Sequence, residues 1–545
     1  MQPESNDPRD IARQFLLRQT DLEARLDRVE NSVLFRALRW IGKKAGYARG
    51  LHERGIAGTN RDYANWVEQS GWMEPSPREC ARSMAAWRRP PRISYLVGSP
   101  QAAESVSAQT VPPHEMLQFA DAEAWQRAVS QAQGDYSVIV PADVLLSPLA
   151  AYRWGESLHA GSDDAAGCDA IYSDWDHLDA SGRRHTPRFT PEFSPKLLLH
   201  TAYWGHCFLL RTSLLKRLGP DLDRDLNPSD PEWTHLLALR VAESTKAVAR
   251  IPEILWHSTN APVAVEPPAR PPADTPPGDA AQASIIICSR TPGLLRTCLQ
   301  ALRQGDAAQA EVVVVAHDCG AGGKLEQIAS AHGARAVRYS GQFHFGVMNA
   351  LGVRHSARPV IVLLNDDVEP IAAGWLSALL RPLRTKEVGI AGGLLLYPDD
   401  TVQHAGILVG GLPCPSHAGR RQTSSPWWPW LRLTREVAAV TGACLAIRRT
   451  IWDELDGFDP RFQTNYNDVD LCLRARRSGY SVILASAALL YHREAQTRAT
   501  VVTPAERALF CSLWAPAQAA ADPFFNPNLA LPDERIALAH PCLGT

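Results

Sequence analysis

Three short runs in this chain are apolar without interruption: 285–288 (I-I-I-C), 312–315 (V-V-V-V) and 360–364 (V-I-V-L-L). Runs of this length, rich in β-branched residues and free of alternation, are strands buried on both faces. That limits the chain to an α/β fold with a largely parallel sheet covered by helices. Helical apolar spacing at 294–302 lies between the first two runs, so strand, helix and strand form a right-handed crossover. The third run ends abruptly in polar residues, reading V-I-V-L-L-N-D-D-V-E-P over 360–370. Asn365, Asp366 and Asp367 therefore sit at the C-terminal end of a buried strand. Adjacent carboxylates repel unless a cation lies beside them. A divalent metal carrying a diphosphate fits, because Mg²⁺ and Mn²⁺ take one or two carboxylates together with phosphate oxygens. An Asx turn that merely ends the strand would use the same residues.

The chain has 545 residues, too many for one core, so two or three domains are expected. Its formal net charge of −2 provides no field for nucleic acid, and no nucleic-acid partner is expected. None of the 11 cysteines forms a C-x-x-C pair. Cys288, Cys444 and Cys472 lie among apolar residues and read as buried free thiols, which points to a reducing cytosol. The start, M-Q-P-E-S-N-D-P-R-D, is polar and acidic, unlike a signal peptide, and no stretch reaches the length of a membrane span. The expected location is cytoplasmic, with any membrane contact peripheral.

Residues 9–48 read as helix. Phe15, Leu22, Leu26, Val29 and Val33 fall at heptad-like spacing, which suits a homodimeric coiled coil or a helix packed on its own domain. Over 34–54, aromatic and aliphatic residues alternate with arginines and lysines. Such a face suits the anionic inner-membrane surface or an acidic protein face. We divide the chain into a helical segment and linker, 1–91, and a first α/β domain, 92–258. A Pro-rich linker, 259–283, a second α/β domain, 284–500, and a C-terminal tail, 501–545, follow. The polar, aromatic loop 411–436 reads as a lid or acceptor-side loop.

Displacement of a diphosphate by a hydroxyl needs two things: neutralisation of the leaving group and removal of a proton. A Lewis-acid metal supplies the first and a carboxylate the second. N-D-V-D at 467–470 opens a helix, with Asn467 or Asp468 expected as its N-cap, where the helix dipole favours negative charge. Asp468 is the candidate base, although a helix cap would look the same. Asp470 is expected to pair with Arg474 four residues on. His492 follows a late strand, 481–484, and could ligate a metal or simply serve the structure.

Several pieces together resemble family 2 glycosyltransferases of GT-A fold, especially bacterial surface-polysaccharide and rhamnosyltransferase-like enzymes. They are S-I-I-I-C-S-R (284–290), L-L-N-D-D-V-E-P (363–370) and L-L-Y-P-D-D-T-V-Q-H-A-G (395–406). A-V-T-G-A-C-L-A-I-R-R (439–449), G-F-D (457–459), N-D-V-D-L-C-L-R (467–474) and L-Y-H (490–492) complete the set in the family's order. The resemblance implies inverting, metal-dependent transfer from a nucleotide-sugar donor to a glycan or lipid-linked glycan of a surface polysaccharide or O-antigen. It implies Asp468 as base, and Asp367 and His492 on Mn²⁺ or Mg²⁺. Ser289, Arg290, Asp318, Asn349, Asn365 and Asp366 would lie at the donor. D-P-F-F-N-P-N-L (522–529) is similar to the tail of such enzymes.

Two departures stand out. Ala316 occupies the place of the family's base-contacting Asp, with Asp318 nearby, and S-R-T-P (289–292) lacks an acid after Arg290. The first domain resembles the same fold in degenerate form, through I-Y-S-D-W-D (171–176) and I-P-E-I-L-W-H (251–257). Its acids have shrunk to P-A-D (141–143), and Leu236 stands where an acidic residue is expected. We read that domain as non-catalytic. A scaffold or glycan-binding protein built from two decayed transferase domains is the alternative for the whole chain.

Overall fold

The computed structural model describes residues 60–70, 75–87, 90–160, 168–222, 227–228, 230–263, 280–317, 323–410, 415–493 and 502–539. The segments 9–48 and 34–54, Asp318 and most of the Pro-rich linker lie outside these. No helix among the described residues is long and apolar enough to cross a membrane.

The α/β fold expected from the apolar runs is present, and it occurs twice. The first sheet contains β1 (Ile93–Val97), β2 (Glu115–Gln118), β3 (Tyr136–Val140), β4 (Val144–Leu146), β5 (Ala170–Leu178), β6 (Arg184–Arg188), β7 (Leu209–Arg211) and β8 (Val248–Ser258). Their order is β2-β1-β3-β7-β5-β8-β4, with β6 beside β5. The second sheet contains β9 (Ala283–Ser289), β10 (Glu311–His317), β11 (Arg335–Tyr339), β12 (Val360–Asn365), β13 (Val368–Pro370), β14 (Val388–Leu396) and β15 (Val402–His404). A short hairpin, β16 (Ile407–Leu408) with β17 (Ser416–His417), stands apart. The sheet is completed by β18 (Arg435–Glu436), β19 (Cys444–Arg448) and β20 (Ser481–His492). Its order is β11-β10-β9-β12-β19-β14-β20-β13, with β15 beside β14 and β18 beside β20.

Without β11, the second path repeats the first strand for strand. The senses agree as well. The pairs β1–β3 and β9–β12 are parallel, and β3–β7 and β12–β19 are antiparallel. The pairs β5–β8 and β14–β20 are parallel, and β4–β8 and β13–β20 are antiparallel. The stretch between the first and third of these strands is long enough for two further strands and their helices only in the second sheet.

The apolar runs enter the core as their composition requires. Ile285, Ile287, Val314, Val362 and Leu364 pack with Leu295 and Leu299 of the helix Pro292–Leu302 and with Trp375 and Leu379 of the helix Trp375–Leu380. Each such side chain contributes roughly 1.5–3 kcal/mol relative to exposure. The first core is more aromatic: Trp154, Trp175 and Trp256 are buried in it, the last two stacked at 4.7 Å. Cys444 and Cys472 are buried free thiols as read from sequence, whereas Cys288 is partly buried.

Two expectations change. The strand anticipated at 481–484 continues to His492, after a register shift opposite Gly393 and Leu394. The run of small residues past 484 hides this continuation from pattern reading. The segment 501–545, expected as a tail, is built into the body. From Trp66 onward the chain packs as one compact unit. Asn526 Nδ2 reaches back to the fully buried Asp174 of β5 at 2.7 and 2.9 Å, and Asn528 Nδ2 adds a bond at 3.2 Å. Glu436 of β18 accepts from Ser194 Oγ and from the Lys196 N–H at 3.2 Å. Trp430 Nε1 donates to Phe189 O at 3.0 Å. These bonds knit the second half to the first.

Candidate functional site

The C-terminal ends of β9, β10 and β12, the start of β19 and the end of β20 surround a cavity of about 550 Å³. Ser289, Arg290, Asn365, Asp366, Asp367, Asp468 and His492 all line it. The sequence spreads these residues over two hundred positions, and the sheet gathers them.

The acids are held at two places. Asp366 Oδ2 accepts from Ser289 Oγ at 2.6 Å, which ties the end of β12 to the end of β9. Burial pushes its carboxyl up to about 6, against the Ser289 hydrogen bond and with the Asp367 charge adding to the rise. Asp367 Oδ1 lies 3.2 Å from His492 Nε2, and both side chains are about nine-tenths buried. That proximity follows from the ladder, since Val368 pairs with His492 and the Arg493 N–H donates to Asp367 O at 3.1 Å. The other ring nitrogen, His492 Nδ1, is buried with no partner among the described residues.

Asp468 lies in the first turn of the helix Asn467–Arg477. Neither Asn467 nor Asp468 is the N-cap. Tyr466 is, in a left-handed conformation at φ 64°. Asp468 instead turns its Oδ2 to the Gly442 N–H at 2.8 Å and its Oδ1 to the Val469 N–H at 2.9 Å. A Cβ at Gly442 would come within 3.1 Å of the Phe345 ring, so this close approach suits glycine. Asp470 pairs with Arg474 at 2.8 Å as the spacing predicts, and also accepts from Trp514 Nε1 at 3.0 Å.

The loop ahead of this helix is fastened by the helix Pro504–Ala519. Glu506 accepts from the N–H groups of Thr464 (2.8 Å) and Asn465 (2.9 Å) and from Asn465 Nδ2 (3.0 Å). Against burial, these bonds and that from Thr503 hold its carboxyl down at about 2.

Other expected positions differ. Asn349 does not line the cavity: it is buried in the helix Phe345–Arg354, where its Nδ2 donates back to Phe345 O at 2.9 Å. Asp318 lies outside the described residues. Ala316, at the position of the family's base-contacting acid, is buried inside β10, and the next residue, His317, lines the cavity. Sequence reading missed Gln403, His417 and Arg420 on the cavity wall, although Gln403 belongs to the V-Q-H-A-G motif. His404 is fully buried. Its Nε2 accepts from the Thr441 N–H at 3.4 Å, and its Nδ1 lies 3.0 Å from His417 Nδ1.

Residues 280–509 match the sequence profile described as Glycosyltransferase like family 2. The chain thus carries a family 2 glycosyltransferase domain, and the cavity lies within it. The O-antigen biosynthesis protein RfbC of Myxococcus xanthus is 28% identical over 452 residues, covering 75% of this chain and 35% of that protein. An N-acetylglucosaminyl-diphospho-decaprenol L-rhamnosyltransferase of Mycobacterium tuberculosis is 29% identical over 151 residues, covering 25% of this chain and 48% of that protein. The chain spans 35% and 52% of the length of two curated relatives that it matches over most of its own. Among solved structures, a mannosyltransferase from Pyrobaculum calidifontis in complex with GDP-Man and Mn²⁺ aligns at a TM-score of 0.31 and 15% identity. That alignment covers 40% of this chain and 58% of the other.

Proposed function

We propose that this chain transfers a sugar, with inversion and with a divalent metal, from a nucleotide-sugar donor to a growing surface polysaccharide or O-antigen acceptor. The observation that carries this reading is one cavity holding a carboxylate and an imidazole 3.2 Å apart together with a helix-start carboxylate.

The donor set fits a cation. Two neighbouring acids, one of them raised by burial, leave excess negative charge, and Asp367 Oδ1 and His492 Nε2 are close enough to share one ion. A carboxylate and an imidazole suit Mn²⁺, and also Mg²⁺ with more water retained. No group of three or more ligating side chains occurs among the described residues, so diphosphate oxygens and water would complete the shell. When bound, the metal would supply charge neutralisation at the departing diphosphate. Ser289 keeps Asp366 oriented, and Arg290 adds a positive charge on the same wall. Asp468, fixed by the Gly442 and Val469 amides, takes the proton of the acceptor hydroxyl as its oxygen bonds to the sugar carbon and the nucleoside diphosphate leaves.

The test is nucleotide release from a panel of UDP-, dTDP- and GDP-sugars with Mn²⁺, with and without glycan acceptor. Release from a matching donor supports the reading. Silence with every donor would sink it and leave a glycan-binding scaffold.

A further inference from the structure

We propose that Gln403 reads a hydroxyl of the acceptor sugar, with His404 and His417 as the pair that positions it. The inference rests on the transferase reading above.

Gln403 is 3% exposed, yet it lines the cavity, and its side-chain oxygen has no hydrogen-bond partner among the described residues. A buried amide oxygen in that state is destabilising until a donor reaches it. It is uncharged, so it suits a neutral hydroxyl rather than a phosphate. Its place in the sheet favours the acceptor. Ser289 and Arg290 mark one flank of the acid pair, at β9 and just beyond. Gln403 hangs from β15 beside β14, on the opposite flank of β12.

The neighbouring histidines fix the strand that presents this amide. Because His404 Nε2 accepts from the Thr441 amide, its ring proton lies on Nδ1 and is donated to His417 Nδ1. Burial and the nearby His417 and Arg435 keep His404 neutral, well below the usual imidazole range. His417 belongs to β17 and pairs with Ile407 of β16, so the bond closes the loop from 404 to 417 across the cavity wall. A network of this kind sets a side chain to within the tolerance that discrimination between hydroxyls needs.

The experiment uses the full chain with Mn²⁺, its best nucleotide sugar and octyl glycosides of hexoses and 6-deoxyhexoses as acceptor probes. The accepted glycoside and the donor sugar are then each tested as monodeoxy analogues. With the wild type, one deoxy acceptor should lose about tenfold in kcat/KM, the weight of one hydrogen bond. Gln403→Met should show that loss with the parent acceptor, through KM, and no further loss with the deoxy analogue. Its donor Kd should stay within twofold and its Tm should not fall, since no internal bond is removed. His404→Asn should raise acceptor KM with kcat kept. Equal losses for wild type and Gln403→Met on every deoxy acceptor overturn the proposal. So does a discrimination that moves to the deoxy donors, or rejection of every octyl glycoside by a protein that releases nucleotide normally. A wild type that releases no nucleotide from any donor overturns the transferase reading itself, and this inference with it.

Discussion

The same ladder position ends differently in the two halves. Val144 pairs with Ser258 in the first sheet, and Val368 pairs with His492 in the second. One residue upstream, Asp143 lies 3.2 Å from Ser258 Oγ and 3.0 Å from Asn260 Nδ2, whereas Asp367 lies 3.2 Å from His492 Nε2. A hydroxyl has replaced an imidazole, and Ala142 stands where the second half has Asp366. The serine that follows the neighbouring strand is also reassigned. Ser99 Oγ donates to Ala142 O at 3.2 Å and caps the next helix, while Ser289 Oγ donates to the Asp366 carboxylate. In the first half Asp176 is taken up by His257 at 2.5 Å and Arg184 at 2.6 Å. The first turn of its helix Trp233–Ser244 holds no acid. The second half leaves His492 Nδ1 and Gln403 Oε1 without partners among the described residues, at a cavity. The backbone architecture is shared, and each half buries polar atoms without partners among the described residues, His177 Nε2 and Trp154 Nε1 among those of the first. What sets His492 Nδ1 and Gln403 Oε1 apart is that they belong to residues lining the cavity.

That contrast can be attacked directly. Asp468→Asn keeps the shape of the side chain and one of its two amide contacts but removes the proton acceptor, so kcat should fall by about 10³ with donor affinity retained; steady-state rates and donor titration check it. Full activity of this variant would reassign the base. His492→Ser copies the first half into the second and should weaken Mn²⁺ binding at least about tenfold, read by calorimetry, with Asp367→Ala at least as damaging. Unchanged affinity would place the cation elsewhere. Asn526→Ala strips amide donors from the buried Asp174 and should cost about 2 kcal/mol in urea unfolding without changing donor Kd.

The smallest effect expected is a pH dependence. The Asp366 carboxyl is raised in the folded protein to about 6, above its ordinary 3.8. Its contribution to stability is therefore present in acid and lost as pH rises through about 6. Without metal, the stability of wild type relative to Asp366→Asn should fall between about pH 4 and 6 and level off above that. Mn²⁺ binding should strengthen as pH rises through about 6 and the carboxylate of the folded protein ionises. A flat profile would remove Asp366 from the cation's surroundings.

The strands Ala283–Ser289, Glu311–His317 and Val360–Asn365 could be read from sequence to within two residues at each end, because uninterrupted apolar runs mark strands buried on both faces. So could the gathering of Asp366, Asp367, Asp468 and His492, since buried parallel strands deliver their C-terminal ends to one edge. Asn349 was misplaced because its rotamer, folded back on its own helix, leaves no trace in the pattern. The shift from Ala316 to His317 is a question of which side of a strand faces the cavity, which a short apolar run does not state. Gln403 carried a signal, a polar residue within a buried hairpin strand, but its meaning needs the missing partner to be seen. The tail's role was hidden because its partners lie far away in the chain.

That distance bears on synthesis. The carboxylate buried in β5 receives its Asn526 and Asn528 bonds from residues 352 and 354 positions later. A ribosome must therefore translate 352 residues beyond this acid before its amide partner exists. Until then the nascent form exposes an acid that residues 526–528 later cover, so products arrested before them should be poor folders and ready clients for chaperones.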